Sequence, residues 1–131
     1  MADITFDITL TFDKDSFYFQ WDPATMEWSM TNAGGGNPGL VSVGTSEENI
    51  SFGDISDAGW TLIVNLDGSS DVDWGASATT PTMAAIGTLS NTASAANAGG
   101  FALFEFKSGE TLRMQSTGGG AAKCAIHRFE E

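Results

Sequence analysis

Residues 4–12 alternate without a break, with Ile4, Phe6, Ile8, Leu10 and Phe12 on one side and Thr5, Asp7, Thr9 and Thr11 on the other. A period of two belongs to a strand with one buried and one wet face; a helix would scatter the same side chains around its circumference. Asp13, Lys14, Asp15 and Ser16 supply turn chemistry, and Phe17, Phe19 and Trp21 resume the alternation as the return strand of a hairpin. Asp22-Pro23 stops it. Met26, Trp28 and Met30 alternate again before residues 32–39, where Gly34-Gly35-Gly36 and Pro38-Gly39 read as a loop too flexible to join any element.

Further strands are predicted at 40–43, 50–52 and 60–66. In the last of these Trp60, Leu62, Val64 and Leu66 share one face and read as core, and the added Ile63 implies cover on both sides. Val72 and Trp74 suit a short strand after the turn at 67–70. The stretch 75–100, rich in Ala, Thr, Ser and Gly, is long for a plain connection and is compatible with an extended arm, a long loop or a short helix over 83–89. Residues 101–106 and 111–115 form a second hairpin around Ser108-Gly109, and 121–129 is the final strand. Short strands, glycine-rich turns and almost no helical period predict an all-β fold: an antiparallel β-sandwich, jelly-roll-like, as a single domain over 1–131.

Charge changes this picture most. Seventeen acidic residues against five basic ones give a formal net charge of -12. Residues 1–100 hold 13 of the acids and a single base, Lys14, whereas residues 101–131 hold four of each sign. A surface of that sign repels phosphate backbones, which argues against nucleic acid as a partner; it reads first as a solvated surface kept soluble by like charge, and second as an acidic face complementary to a basic partner. No run approaches the roughly 20 apolar residues of a membrane helix, so no membrane partner is expected. The first residues have neither the basic start nor the apolar block of a secretory signal. One cysteine, Cys124, excludes an internal disulfide, which agrees with assembly in a reducing cytoplasm.

Candidate chemistry is sparse. Cys124 and His127 are the only nucleophile and base of their kind, and three residues apart on a strand they point to opposite faces. Cys124 falls in phase with Ala122 and Ile126 and reads as core. No catalytic residues and no cofactor site follow, so the chain does not read as an enzyme. Asp67, Asp71 and Asp73 crowd one turn, which reads first as a solvated acidic turn, with no metal, and only second as a weak candidate calcium site, since hard cations take several carboxylate oxygens from a flexible loop. Four tryptophans stand out. Met26, Trp28, Met30 and Trp74 are the interface candidates, because aromatic and thioether side chains anchor protein contacts. An exposed Trp28 or Trp74 also suits a sugar-stacking platform.

Residues 73–75 (Asp-Trp-Gly), Gly99-Gly100 with the apolar run 101–106, the segment 109–116 (Gly-Glu-Thr-Leu-Arg-Met-Gln-Ser) and the last strand through Ile126 to Glu130-Glu131 resemble small structural proteins of tailed-bacteriophage virions. The resemblance covers residues 60–131 and lies in their style, a glycine-introduced apolar strand, a tight turn and a last strand ending in acid. It implies a non-enzymatic capsid decoration or cement protein that binds the major capsid protein lattice, as a homo-oligomer such as a trimer, in virions assembled in the bacterial cytoplasm. The alternatives are a tail or head-fibre component, or a carbohydrate-binding, host-recognition module.

Overall fold

The computed structural model describes residues 4–29, 35–53, 55, 59–77, 83–91, 99–105, 107 and 109–129. Every regular element among them is a strand, all pairings are antiparallel, and no helix long and apolar enough to cross a membrane is present among them. The chain divides into two compact units, Met1–Thr31 and Asn32–Glu131.

The first unit is hairpin-like. β1 (Ile4–Phe6) pairs with β4 (Met26–Trp28), and β2 (Leu10–Lys14) pairs with β3 (Phe17–Trp21). The unbroken strand predicted over 4–12 is therefore interrupted at 7–9. There, side chains take over from the ladder: Thr25 Oγ1 donates to Asp7 Oδ1 at 2.7 Å and Thr9 Oγ1 donates to Asp22 Oδ1 at 3.3 Å. Short polar side chains that bond locally compete with strand pairing in this way. The turn between β2 and β3 has Asp15 at φ 55, the positive value that a two-residue hairpin turn requires at its first central position. Aspartate tolerates it better than most residues.

The second unit is the sandwich. One sheet runs β10 (Phe101–Glu105), β7 (Trp60–Asn65), β12 (Ala122–Phe129), β5 (Gly35–Val43), and the other runs β6 (Glu48–Asn49), β11 (Thr111–Ser116), β8 (Val72–Ser77), β9 (Ala84–Leu89). Val43, Ile63, Cys124 and Ile126 from the first sheet and Val72, Leu89, Leu112 and Met114 from the second meet in one cluster, closed by Ile50 and Phe52. Strict alternation in β11 and β12 sends every second residue into it, from Leu112 to Ser116 and from Ala122 to Arg128. Arg128 lies across the Phe52 ring, 4.1 Å from its centre, so its charge is held over a π face where the core ends.

Four expectations are corrected. Residues 35–39 belong to β5 instead of to a loop, and Pro38 is tolerated because β5 is an edge strand with an unpaired side. The strand predicted at 50–52 shrinks to β6 at 48–49; Ile50 and Phe52 are buried just beyond it, with Ile50 N donating to Leu112 O at 2.9 Å. The helix option over 83–89 is replaced by β9, paired with β8 through a register shift between Trp74 and Gly75, and β8 itself runs on to Ser77. Ladder bonds to β8 outweigh the helical preference of alanine there. Finally, the buried face of β7 is the other one: Thr61, Ile63 and Asn65 are fully buried, while Trp60, Leu62 and Val64 are half-buried on the outer side.

Asn65 shows how a polar residue enters this core. Its Nδ2 donates to Ser70 O at 2.9 Å and to Leu89 O at 3.0 Å, and its Oδ1 accepts from Asp67 N at 2.9 Å. The amide thereby ties β7 to the end of β9 and to the turn at 66–71. Its backbone is equally committed. Asn65 N donates to Gly100 O at 2.9 Å, and a Cβ placed on Gly99 would lie 1.8 Å from Asn65 O, so only glycine passes there.

Candidate interaction surfaces

The turn at 67–73 orders its three aspartates apart from one another. Asp67 Oδ1 accepts from Ser69 N at 2.9 Å and Ser70 N at 2.8 Å, an Asx-type turn closed by its own loop. Those two N–H groups hold the Asp67 carboxyl below its ordinary value. Asp71 Oδ1 accepts from both Asn91 N and Asn91 Nδ2 at 2.8 Å, and Asp73 Oδ1 accepts from Thr88 Oγ1 at 2.6 Å. Each carboxylate is spent on a different neighbour. Among the described residues no three carboxylate, His or Cys side chains converge as metal ligands, so the candidate calcium site is not assembled.

Cys124 and His127 take opposite faces, as their spacing requires. Cys124 is fully buried, and burial, reinforced by the Asp67 carboxylate, pushes its thiol up to about 11, which leaves it protonated and inert at neutral pH. His127 sits half-buried on the outer side of β12, opposite Leu62.

The tryptophans divide between the units. Trp28 lies on β4, opposite Ile4, and meets the Phe6 ring edge-on at 5.2 Å and 71°. Met26 is opposite Phe6 and is likewise half-buried. Met30 lies outside the described residues. Trp74 stacks on Phe104 at 4.8 Å and 15°, joining the edge regions of the two sheets, and its Nε1 lies against Gly87, where an added Cβ would stand 3.2 Å away. One face of its indole is thus already covered. Beside it opens an apolar cleft of about 320 Å3 lined by Trp74, Ala76, Ile86 and Phe104, with Glu105, Lys107 and Glu110 completing the wall.

Two surfaces escaped the interface candidates drawn from sequence. The first is the β2–β3 hairpin. Leu10 is opposite Trp21, Phe12 opposite Phe19 and Lys14 opposite Phe17, so these six side chains share one face. The five apolar ones are 44–60% exposed, and Tyr18 on the reverse face is 62% exposed. Phe12 and Phe17 meet edge-on at 5.6 Å, which is the only ring contact seen among the residues of that hairpin. Asp7, Asp15 and Asp22 lie beyond the ends of its two strands, and Asp13, opposite Tyr18, lies on the reverse face. Alternation in the sequence marked these residues as apolar on one side, and was read as burial within the chain.

The second is the outer side of the β10-β7-β12-β5 sheet, where Leu62 and Val64 lie with Leu40, Phe101 and Leu103. Its signal was Trp60, Leu62 and Val64 in phase, assigned to the core. No protein-family model, no curated protein and no solved structure matches this chain.

Proposed function

We propose that this chain is a non-enzymatic structural protein of a tailed-phage virion, a decoration or cement protein that attaches to the major capsid protein lattice. The observation that carries the reading is the β2–β3 hairpin, which leaves Leu10, Phe12, Phe17, Phe19 and Trp21 about half in water. A two-stranded hairpin gains little stability alone, and an aromatic face of this kind contributes when another protein covers it. Asp7, Asp15 and Asp22 at the ends of the hairpin strands favour a covering surface that carries lysine and arginine. The style of β10, β11 and β12, with no cluster of groups suited to catalysis among the described residues, supports the same reading.

Electron microscopy of purified particles tests it. Density for the chain is expected in many copies related by the symmetry of the shell, and the Phe12→Ser/Phe19→Ser double variant is expected to be left out of particles while its sandwich stays folded. A few copies at the tail would move the protein to a tail or fibre role. Particles without the chain would sink the virion reading. The sugar-binding alternative is served less well by Trp74, one face of which is taken by Phe104; glycan binding lost in Trp28→Ala or Trp74→Ala would revive it.

A further inference from the structure

The outer side of the β10-β7-β12-β5 sheet is largely apolar, with His127 and Ser42 as neutral polar positions, and free of acidic excess. Register sets Leu103 beside Leu62, Phe101 beside Val64, Val64 beside Ala125 and Ala125 beside Leu40. Leu40 and Phe101 are 69% and 63% exposed, and the residues between them are half-buried. None of these six belongs to the buried core or to the side chains packed against it. The fully charged side chains on the face are one of each sign, Glu105 on β10 and Lys123 on β12. They stand toward opposite ends, Glu105 level with Trp60 and Lys123 one residue beyond the Cys124–Asn65 pair.

We infer that this face pairs with the same face of a second copy, sheet against sheet. A chain of net charge -12 repels its own kind wherever acidic surfaces meet, and it meets itself at least cost where the charges cancel. A basic partner would gain nothing from a neutral face. The two charges also suit a two-fold contact: an axis running between them sets each Lys123 opposite the Glu105 of the other copy, an isologous arrangement. Sheets packed in this way sit about 10 Å apart. Four strands at about 4.8 Å spacing and about six residues of length give a footprint of roughly 400 Å2 on each copy. On both copies together that is roughly 800 Å2, the lower end of weak, reversible contacts, so association is expected only at about 100 μM and above. This inference uses only the sandwich, and it stands or falls apart from the virion reading.

Sedimentation equilibrium of the full chain from about 1 μM to about 1 mM tests it. Wild type is expected to pass from monomer to dimer across that range. Leu62→Glu is expected to raise the dissociation constant by at least about 30-fold, since it buries a charge at the centre of the contact. Its urea midpoint as a monomer should stay at the wild-type value, because the side chain does not face the core. Thr45→Glu, which adds the same charge on an exposed loop, should leave association intact. Glu105→Lys and Lys123→Glu should each weaken the dimer, and the double exchange should restore it. A wild type that stays monomeric, a dimer indifferent to Leu62→Glu, or a charge exchange without rescue would each overturn the inference.

Discussion

Replacing Asn65 with alanine removes a side chain with 0% exposure that holds three hydrogen bonds. Two acceptors lose their donor, the carbonyls of Ser70 and Leu89, and both residues are 2% exposed. A buried polar group left without a partner costs about 1–3 kcal/mol, so these two account for roughly 2–6 kcal/mol. The third group, Asp67 N, belongs to a half-buried residue that water reaches, and adds little. The expected loss is about 4 kcal/mol, a large share of the roughly 5–15 kcal/mol that holds a domain together. Urea unfolding followed by tryptophan fluorescence measures it, because Trp60 and Trp74 lie in the same unit. With a slope of about 2 kcal/mol/M the midpoint should fall by about 2 M at unchanged slope.

Asn65→Asp sharpens the test. The carboxylate still accepts from Asp67 N but turns an oxygen toward two carbonyls, so at neutral pH this variant should be less stable than Asn65→Ala. Protonation restores one donor. The folded state then holds its proton more tightly than the unfolded state does, and stability falls as pH rises above about 4, the unfolded value. A loss below about 1 kcal/mol for Asn65→Ala, or an aspartate variant more stable than the alanine one at pH 7, would refute the reasoning; it would mean that water replaces the amide.

Gly118→Ala should lower stability by about 1–3 kcal/mol, read as a drop in thermal midpoint, because its Cβ would stand 2.5 Å from Ser70 Cα. Cys124, with its thiol raised to about 11 by burial, should ignore a thiol reagent at neutral pH and react at once in denaturant; prompt reaction of the native protein would contradict the packing of β12. Asp67 has a folded-state carboxyl below its ordinary value, so its share of stability is present above the unfolded value and is lost as pH falls through the folded one. The acid side of the stability profile should therefore flatten in Asp67→Asn, and a carboxyl titration by NMR should place Asp67 below the ordinary aspartate value.

Period was legible in the sequence, and facing was not. Alternation read over 4–12, 17–21, 111–115 and 121–129 falls on strands, because two residues per repeat is a property of the backbone itself, although 4–12 is broken at 7–9 and β2 runs on through Asp13 and Lys14, where the sequence reads as turn. Which half of the repeat turns inward depends on the neighbours. In β7 the more apolar half, Trp60, Leu62 and Val64, lies outside, and the half with Thr61 and Asn65 lies inside, since Thr61 Oγ1 finds Gly59 O at 3.3 Å and Asn65 finds its three partners. Those partners come from residues up to 24 positions away, beyond any local window. β9 was hidden for another reason: Ala84-Ala85-Ile86-Gly87-Thr88-Leu89 has little contrast between its two halves, so only pairing with β8 identifies it. Crowding of Asp67, Asp71 and Asp73 offered calcium as the lesser reading of that turn, and the hydrogen bonds to Ser69, Asn91 and Thr88 that draw the three apart could not be seen in it.

β12 occupies a central place in its sheet, between β7 and β5, yet it is synthesised after both of them. Until residues 122–129 leave the ribosome, β5 and β7 each present a bare hydrogen-bonding edge, and Val43 and Ile63 lack the Ala122, Cys124 and Ile126 that enclose them. Contacts close in sequence form early and distant ones late, so the aromatic hairpin at 10–21 is available to a neighbour while the sandwich is still open. During synthesis the chain is thus an adhesive hairpin followed by an unfinished framework, and closure by β12 is the step that protects it from irreversible self-association.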